Sequence, residues 1–103
     1  MQILAFVLLE NNKPHEAINL WKGLLVFSPH DPQIHKSLAR AYFDTKYYDL
    51  AIEHGHKYME LNASGEKTAP MEFLISRAYW AINKQNDAQK WAQSSLEVKN
   101  ESI

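Results

Sequence analysis

Apolar and polar positions recur at helical spacing along the chain, most clearly over residues 35–63. Leu38, Ala39 and Tyr42 share one face, a turn is predicted at 44–47, and Ala51, Gly55 and Tyr58 resume the same period. Two amphipathic helices joined by so short a link must lie antiparallel. The small residues Ala39, Ala51 and Gly55 fall where two such helices would approach closely.

The rest of the chain carries the same signal. Ile3, Leu4, Val7 and Leu8 form a first stripe with Phe6 and Leu9 beside it, apolar almost all round, which predicts cover by a hairpin partner and by a neighbouring subunit or a bound chain. Asn11, Asn12 and Lys13 read as a turn. Pro14 suits the first turn of a second helix, whose stripe is Ala17, Ile18, Trp21, Leu24 and Leu25 and which Ser28-Pro29 stops. Asp31-Pro32 is a start signal, a carboxylate to cap free N–H groups followed by a ring that fixes the opening turn. It predicts a third helix ending near Asp44 and a fourth over Tyr48–Leu61. Thr68 is the predicted cap of a fifth helix carrying Pro70, Phe73, Leu74, Arg77 and Trp80, a last turn is predicted at 83–86, and a sixth helix with Ala88, Trp91, Ala92 and Leu96 should end near Lys99.

Six helices with short links make three hairpins, and the hairpins repeat. Ala17 and Ala51 lie 34 residues apart, as do Leu4 and Leu38, Ala5 and Ala39, and Leu8 and Tyr42. From the second hairpin to the third the offset is 37: Leu38 matches Ile75, Ala39 matches Ser76, Tyr42 matches Tyr79, Ala51 matches Ala88 and Gly55 matches Ala92. The three added residues fit the polar link at 64–67, where lengthening a loop costs little.

Composition narrows the function classes. In 103 residues, 46% hydrophobic, there is room for one domain or a short stack of hairpins. A net charge of −1, with basic and acidic residues interspersed, provides no basic stripe for nucleic acid. No cysteine is present, so disulfides and thiolate chemistry are excluded. Met1 starts an apolar pattern without a basic n-region or a small-residue cleavage site, and no segment reaches the roughly 18 uninterrupted apolar residues of a membrane span, which predicts a soluble protein without direct membrane insertion. A first stripe with no capping residue ahead of it is expected either of a natural chain lacking a first turn or of one trimmed at its front. His30 and His35 are five apart and His54 and His56 point to different faces of one helix, so the five histidines are expected to be solvent-facing or capping groups. No metal spacing, nucleophile elbow, phosphate loop or carboxylate pair appears, and the expectation is a non-enzyme without cofactor or metal.

The residues Leu38, Ala39, Tyr42, Ala51 and Tyr58, with their counterparts 34 residues before and 37 after, make the chain resemble the tetratricopeptide repeat family. It departs from the family pattern in having Met1, His35 and Glu72 at the tryptophan position, Gly55 at an aromatic one, and only one closing proline, Pro29. The resemblance implies an all-α fold of three hairpins, at about 1–31, 32–65 and 69–101, stacked as a short right-handed solenoid that forms a single domain over 1–103. It also implies that Phe6, Leu9, Lys36, Arg40, Phe43, Phe73, Arg77 and Trp80 face the concave groove. There the rings would form an apolar trough, with Arg40 and Arg77 stacking on a ligand or pairing with its carboxylates. The alternative for these rings, Phe6 and Phe43 above all, is simple core filling. The implied partner is another protein, presented as an amphipathic helix or an extended hydrophobic segment, with a second copy of the chain as a further candidate. Size and small-residue pattern are similar to the small tetratricopeptide chaperones of type III secretion, which hold an aggregation-prone client. The alternative is a scaffold or assembly module, or a fragment of a longer repeat array.

Overall fold

The computed structural model describes residues 14–62 and 67–96, and within them every regular element is an α-helix: α1 Pro14–Phe27, α2 Pro32–Asp44, α3 Tyr48–Leu61, α4 Ala69–Ala81 and α5 Gln85–Leu96. The first predicted helix, with Phe6 and Leu9, lies outside the described residues. Each helix packs against the next in sequence, and α2 also touches α4. The result is an all-α fold of sequential hairpin-like contacts, in keeping with a helical-repeat arrangement.

The start of α2 follows from its sequence. Asp31 takes an extended backbone, its carboxylate accepts from the Gln33 N–H at 2.9 Å, and Pro32 opens the helix. Thr68 behaves differently from its prediction. It precedes α4 with helical dihedrals and makes no capping bond, its hydroxyl instead donating to Glu72 Oε1 at 2.9 Å. The last turn also falls earlier than predicted, because α4 ends at Ala81 and α5 begins at Gln85.

That shift makes the two complete hairpins alike. Lys46 and Asn83, 37 residues apart, both take left-handed backbone, at φ 69° and 64°. The bonds around them correspond: Lys46 N–H donates to Phe43 and Tyr47 N–H to Tyr42, as Asn83 N–H does to Trp80 and Lys84 N–H to Tyr79. This six-to-one closure satisfies carbonyls left open at a helix end and reverses the chain in three residues. The repeat seen in the sequence is therefore a repeat in backbone geometry.

Two buried clusters hold the layers together. Ala17, Ile18 and Trp21 of α1 meet Ile34, Leu38, Ala41 and Tyr42 of α2 and Ala51 of α3. Ala39 and Tyr58 meet Met71 and Ile75 of α4. Gly55 belongs to this second contact: a Cβ there would lie 2.9 Å from Ile75 Cγ1 and 3.2 Å from Met71 Sδ. The small residue thus sets the approach of α3 to α4, rather than of α3 to its own hairpin partner. Within the last hairpin, Ser76 and Ala88 mark the close approach, with the Ser76 hydroxyl donating to the Ala88 carbonyl at 2.7 Å in a buried setting.

Candidate functional site: a cationic, aromatic face on α2 and α4

Phe73, Arg77 and Trp80 lie about one turn apart along α4, so they share one side of it. Phe73 and Trp80 are 53% and 58% exposed, large apolar surfaces that the fold leaves uncovered. Neither ring fills the core. Phe43 of α2 is half-buried between them and the first buried cluster.

Arg77 ties these rings together. Its guanidinium carbon sits 4.8 Å from the centroid of Phe43 and 5.8 Å from that of Phe73, within range of a cation–π attraction to both. Lys36 reaches over the buried Tyr58 in the same manner, its Nζ 5.9 Å from the ring centroid. These contacts hold long cationic side chains over aromatic faces.

Two hollows flank the Arg77–Phe43 contact. The larger, about 510 Å³, is lined by Lys36, Arg40, Phe43, Phe73 and Arg77 of the predicted set, together with Gln33, Asp44, Lys67 and Leu74 and the buried Trp21, Tyr58 and Met71. The smaller, about 470 Å³, is lined by Phe43, Arg77 and Trp80, with Tyr48, Gln89 and the small residues Ser76, Ala88 and Ala92. Six predicted residues are thus brought to one side of the molecule. They border two adjoining hollows that share Phe43 and Arg77 in their linings.

The larger hollow has an uneven charge. Lys36, Arg40, Lys67 and Arg77 line it against the single carboxylate of Asp44. A chain with a net charge of −1 has gathered four cations in one concavity, which raises the local concentration of anionic groups. Such a surface can bind and orient a segment that carries apolar side chains and carboxylates. Among the described residues no group of three or more histidine, aspartate or glutamate side chains could hold a metal ion.

Sequence reasoning missed several contributors. Lys67, Leu74, Tyr48 and Gln89 enter through the spatial meeting of separate helices, whereas Gln33 and Asp44 stand at positions that the repeat resemblance also places on the groove. Val26 and Phe27, 78% and 86% exposed at the end of α1, form a separate apolar patch. The signal was present, since neither residue belongs to the α1 stripe.

Three of the five histidines depart from expectation, while His15 and His30 are exposed as predicted. His35 is buried, its Nε2–H donating to the Pro29 carbonyl at 2.9 Å and its Nδ1 lying 3.0 Å from His54 Nδ1. His56 faces α4 and α5, with Nε2 3.3 Å from the Tyr79 hydroxyl and its ring against Trp91. Burial pushes the His54 imidazole below its usual range, His35 adding to this and Glu53 opposing it, and burial does the same to His56. His54 and His56 do point to different faces, but each face is a packed interface. His35 and Glu72, at equivalent repeat positions, are buried polar groups that reach the following helix, Glu72 by accepting from Ser94 Oγ at 3.0 Å.

No protein-family model matches this chain, and neither does any curated protein sequence. None of the described helices is long and apolar enough to cross a membrane.

Proposed function

We propose that this protein is a scaffold or assembly module of the tetratricopeptide type, a short helical solenoid that holds another polypeptide along the face formed by α2 and α4. The observation that carries the reading is the Arg77 guanidinium set between Phe43 and Phe73, with Phe73 and Trp80 both more than half exposed. An exposed aromatic pair separated by an arginine is the composition of an interface centre rather than of an ordinary surface. The partner's apolar side chains enter the two hollows while its carboxylates meet Arg40 and Arg77.

The test is the affinity of a polypeptide isolated from the native host by its binding to this chain. Arg77→Glu should weaken that affinity by about tenfold or more while helical content stays unchanged. An unchanged affinity places the partner elsewhere, with the Val26 and Phe27 patch the next surface to examine.

The uncovered rings Phe73 and Trp80 also favour a second reading, a cytoplasmic chaperone that sequesters an aggregation-prone client such as a type III secretion component. The two readings separate in a light-scattering assay. A sequestering chaperone suppresses client aggregation at a one-to-one ratio, whereas a scaffold's partner stays soluble without it.

A further inference from the structure

The His35–His54 contact joins two ring nitrogens of the same kind, Nδ1 to Nδ1 at 3.0 Å, and a hydrogen bond between them needs one proton and one lone pair. The other nitrogen of His35 is committed, since the Pro29 carbonyl 2.9 Å away accepts only from Nε2–H. In the neutral pair His35 therefore carries its proton on Nε2 and accepts at Nδ1, which fixes His54 as the Nδ1–H tautomer. His54 Nε2 is left as the site where a first added proton enters. With one added proton the Nδ1–H···Nδ1 bridge is intact. A second proton has nowhere to go but the accepting Nδ1 of the bridge, where it would face the other ring's Nδ1–H across 3.0 Å with two positive rings stacked at a centroid distance of 5.2 Å.

We propose that this pair is an acid-operated latch between α3 and the start of α2: it stays shut while it holds no more than one added proton and opens when both rings are charged. The latch has a definite position. It fastens the Pro29 turn and the first turn of α2 to the middle of α3. Opening it frees the part of α2 that carries Gln33, Lys36 and Ser37, which line the larger hollow.

The surroundings limit other sources of the effect. Tyr42 of α2 stacks on His54 with centroids 5.6 Å apart, and Glu53 of α3 is the carboxylate that acts on His54. Tyr47 lies edge-on to Tyr42 and His15 of α1 edge-on to Tyr47, one contact further out. Tyr42 is neutral throughout the acidic range, its hydroxyl held above the ordinary value by burial and then by Glu53. Glu53 offsets a single positive charge but not two. His56, on the other side of α3, faces Tyr79 and Trp91 and titrates as a separate group.

The experiment follows the full chain by nitrogen-15 NMR from pH 8 to about pH 4. The stacked imidazole pair should take up its two added protons in steps separated by more than about one pH unit, as strongly coupled sites do. Backbone exchange over residues 29–38, corrected for the intrinsic rate, should quicken by about tenfold or more only with the second of them. His54→Phe keeps a ring against Tyr42 and removes the bridging nitrogen, and should abolish that acid-triggered step. His56→Phe should leave it in place. Should His54→Phe fail to fold, the titration of the unaltered protein decides by itself. Two independent, unseparated protonations without local opening overturn the latch, as does a His54→Phe protein that still opens at the same pH.

Discussion

Replacing Gly55 with alanine tests the stacking of one hairpin on the next more sharply than any larger substitution. In an open helix, alanine is favoured over glycine by about 1 kcal/mol. Gly23 of α1 is such a site, exposed and with nothing within 4 Å of the position its Cβ would take. Gly23→Ala should therefore stabilise the protein by up to about 1 kcal/mol. At Gly55 the same methyl group would stand 2.9 Å from Ile75 Cγ1, 3.1 Å from its Cδ1 and 3.2 Å from Met71 Sδ. Ile75 is fully buried and Met71 nearly so, hence neither can swing aside into solvent. Overpacking of this kind costs about 1–3 kcal/mol, which cancels or outweighs the helix gain and leaves Gly55→Ala between about neutral and 2 kcal/mol less stable. The two alanine variants should then differ by about 2 kcal/mol, or roughly 8–16 °C in Tm for a domain of this size. Thermal and urea unfolding followed by circular dichroism measure both. Ile75→Val removes Cδ1 and should recover about 0.5–1 kcal/mol in the Gly55→Ala background. Equal stabilisation by the two alanines would mean that α3 and α4 do not approach as described, and the stacked arrangement would fall with it.

Two other outcomes follow from the same structure. Lys46 sits at φ 69°, where an L-residue with a long side chain is strained, so Lys46→Gly should stabilise by up to about 1 kcal/mol, and Asn83→Gly at the equivalent turn by less, because asparagine tolerates that region; equal effects in urea unfolding would contradict the turn geometry. Stability should depend on pH at both ends. His54 and His56 have folded-state values lowered by burial, so their contribution is complete above the ordinary histidine value near 6.5 and is lost as pH falls through the lowered values. Tyr42 and Tyr79 are raised by burial first and by Glu53 and Asp87 second, so theirs is lost as pH rises past about 10. A urea midpoint constant from pH 8 to pH 5 would refute the acid limb.

Much of this architecture is local in origin and could be read from the chain. The Asp31-Pro32 start, the Ser28-Pro29 stop and the α3 bounds are set by residues next to one another, and the 37-residue offset put Lys46 and Asn83, Ala39 and Ser76, and Ala51 and Ala88 in register. Thr68 escaped because its hydroxyl had a second acceptor, Glu72, one turn ahead. The offset itself carried an unused signal. It placed His35 and Glu72 at one repeat position, yet their partners His54 and Ser94 stand on different turns of the following helices, which no spacing rule supplies. Site residues were legible as a face and illegible as a shape. Helical period puts Phe73, Arg77 and Trp80 on one side of α4, but the contact between the Arg77 guanidinium and Phe43 depends on that ring arriving from α2.

The central claim is that the α2–α4 face holds the partner, and site-directed photocrosslinking addresses it most directly. A benzophenone amino acid placed at Phe73 or at Trp80, where exposure is already high, should crosslink the bound polypeptide, whereas the same group at the exposed Lys90 of α5 should not. Crosslinks from position 90 with none from 73 or 80 would contradict the account and move the binding surface to α5.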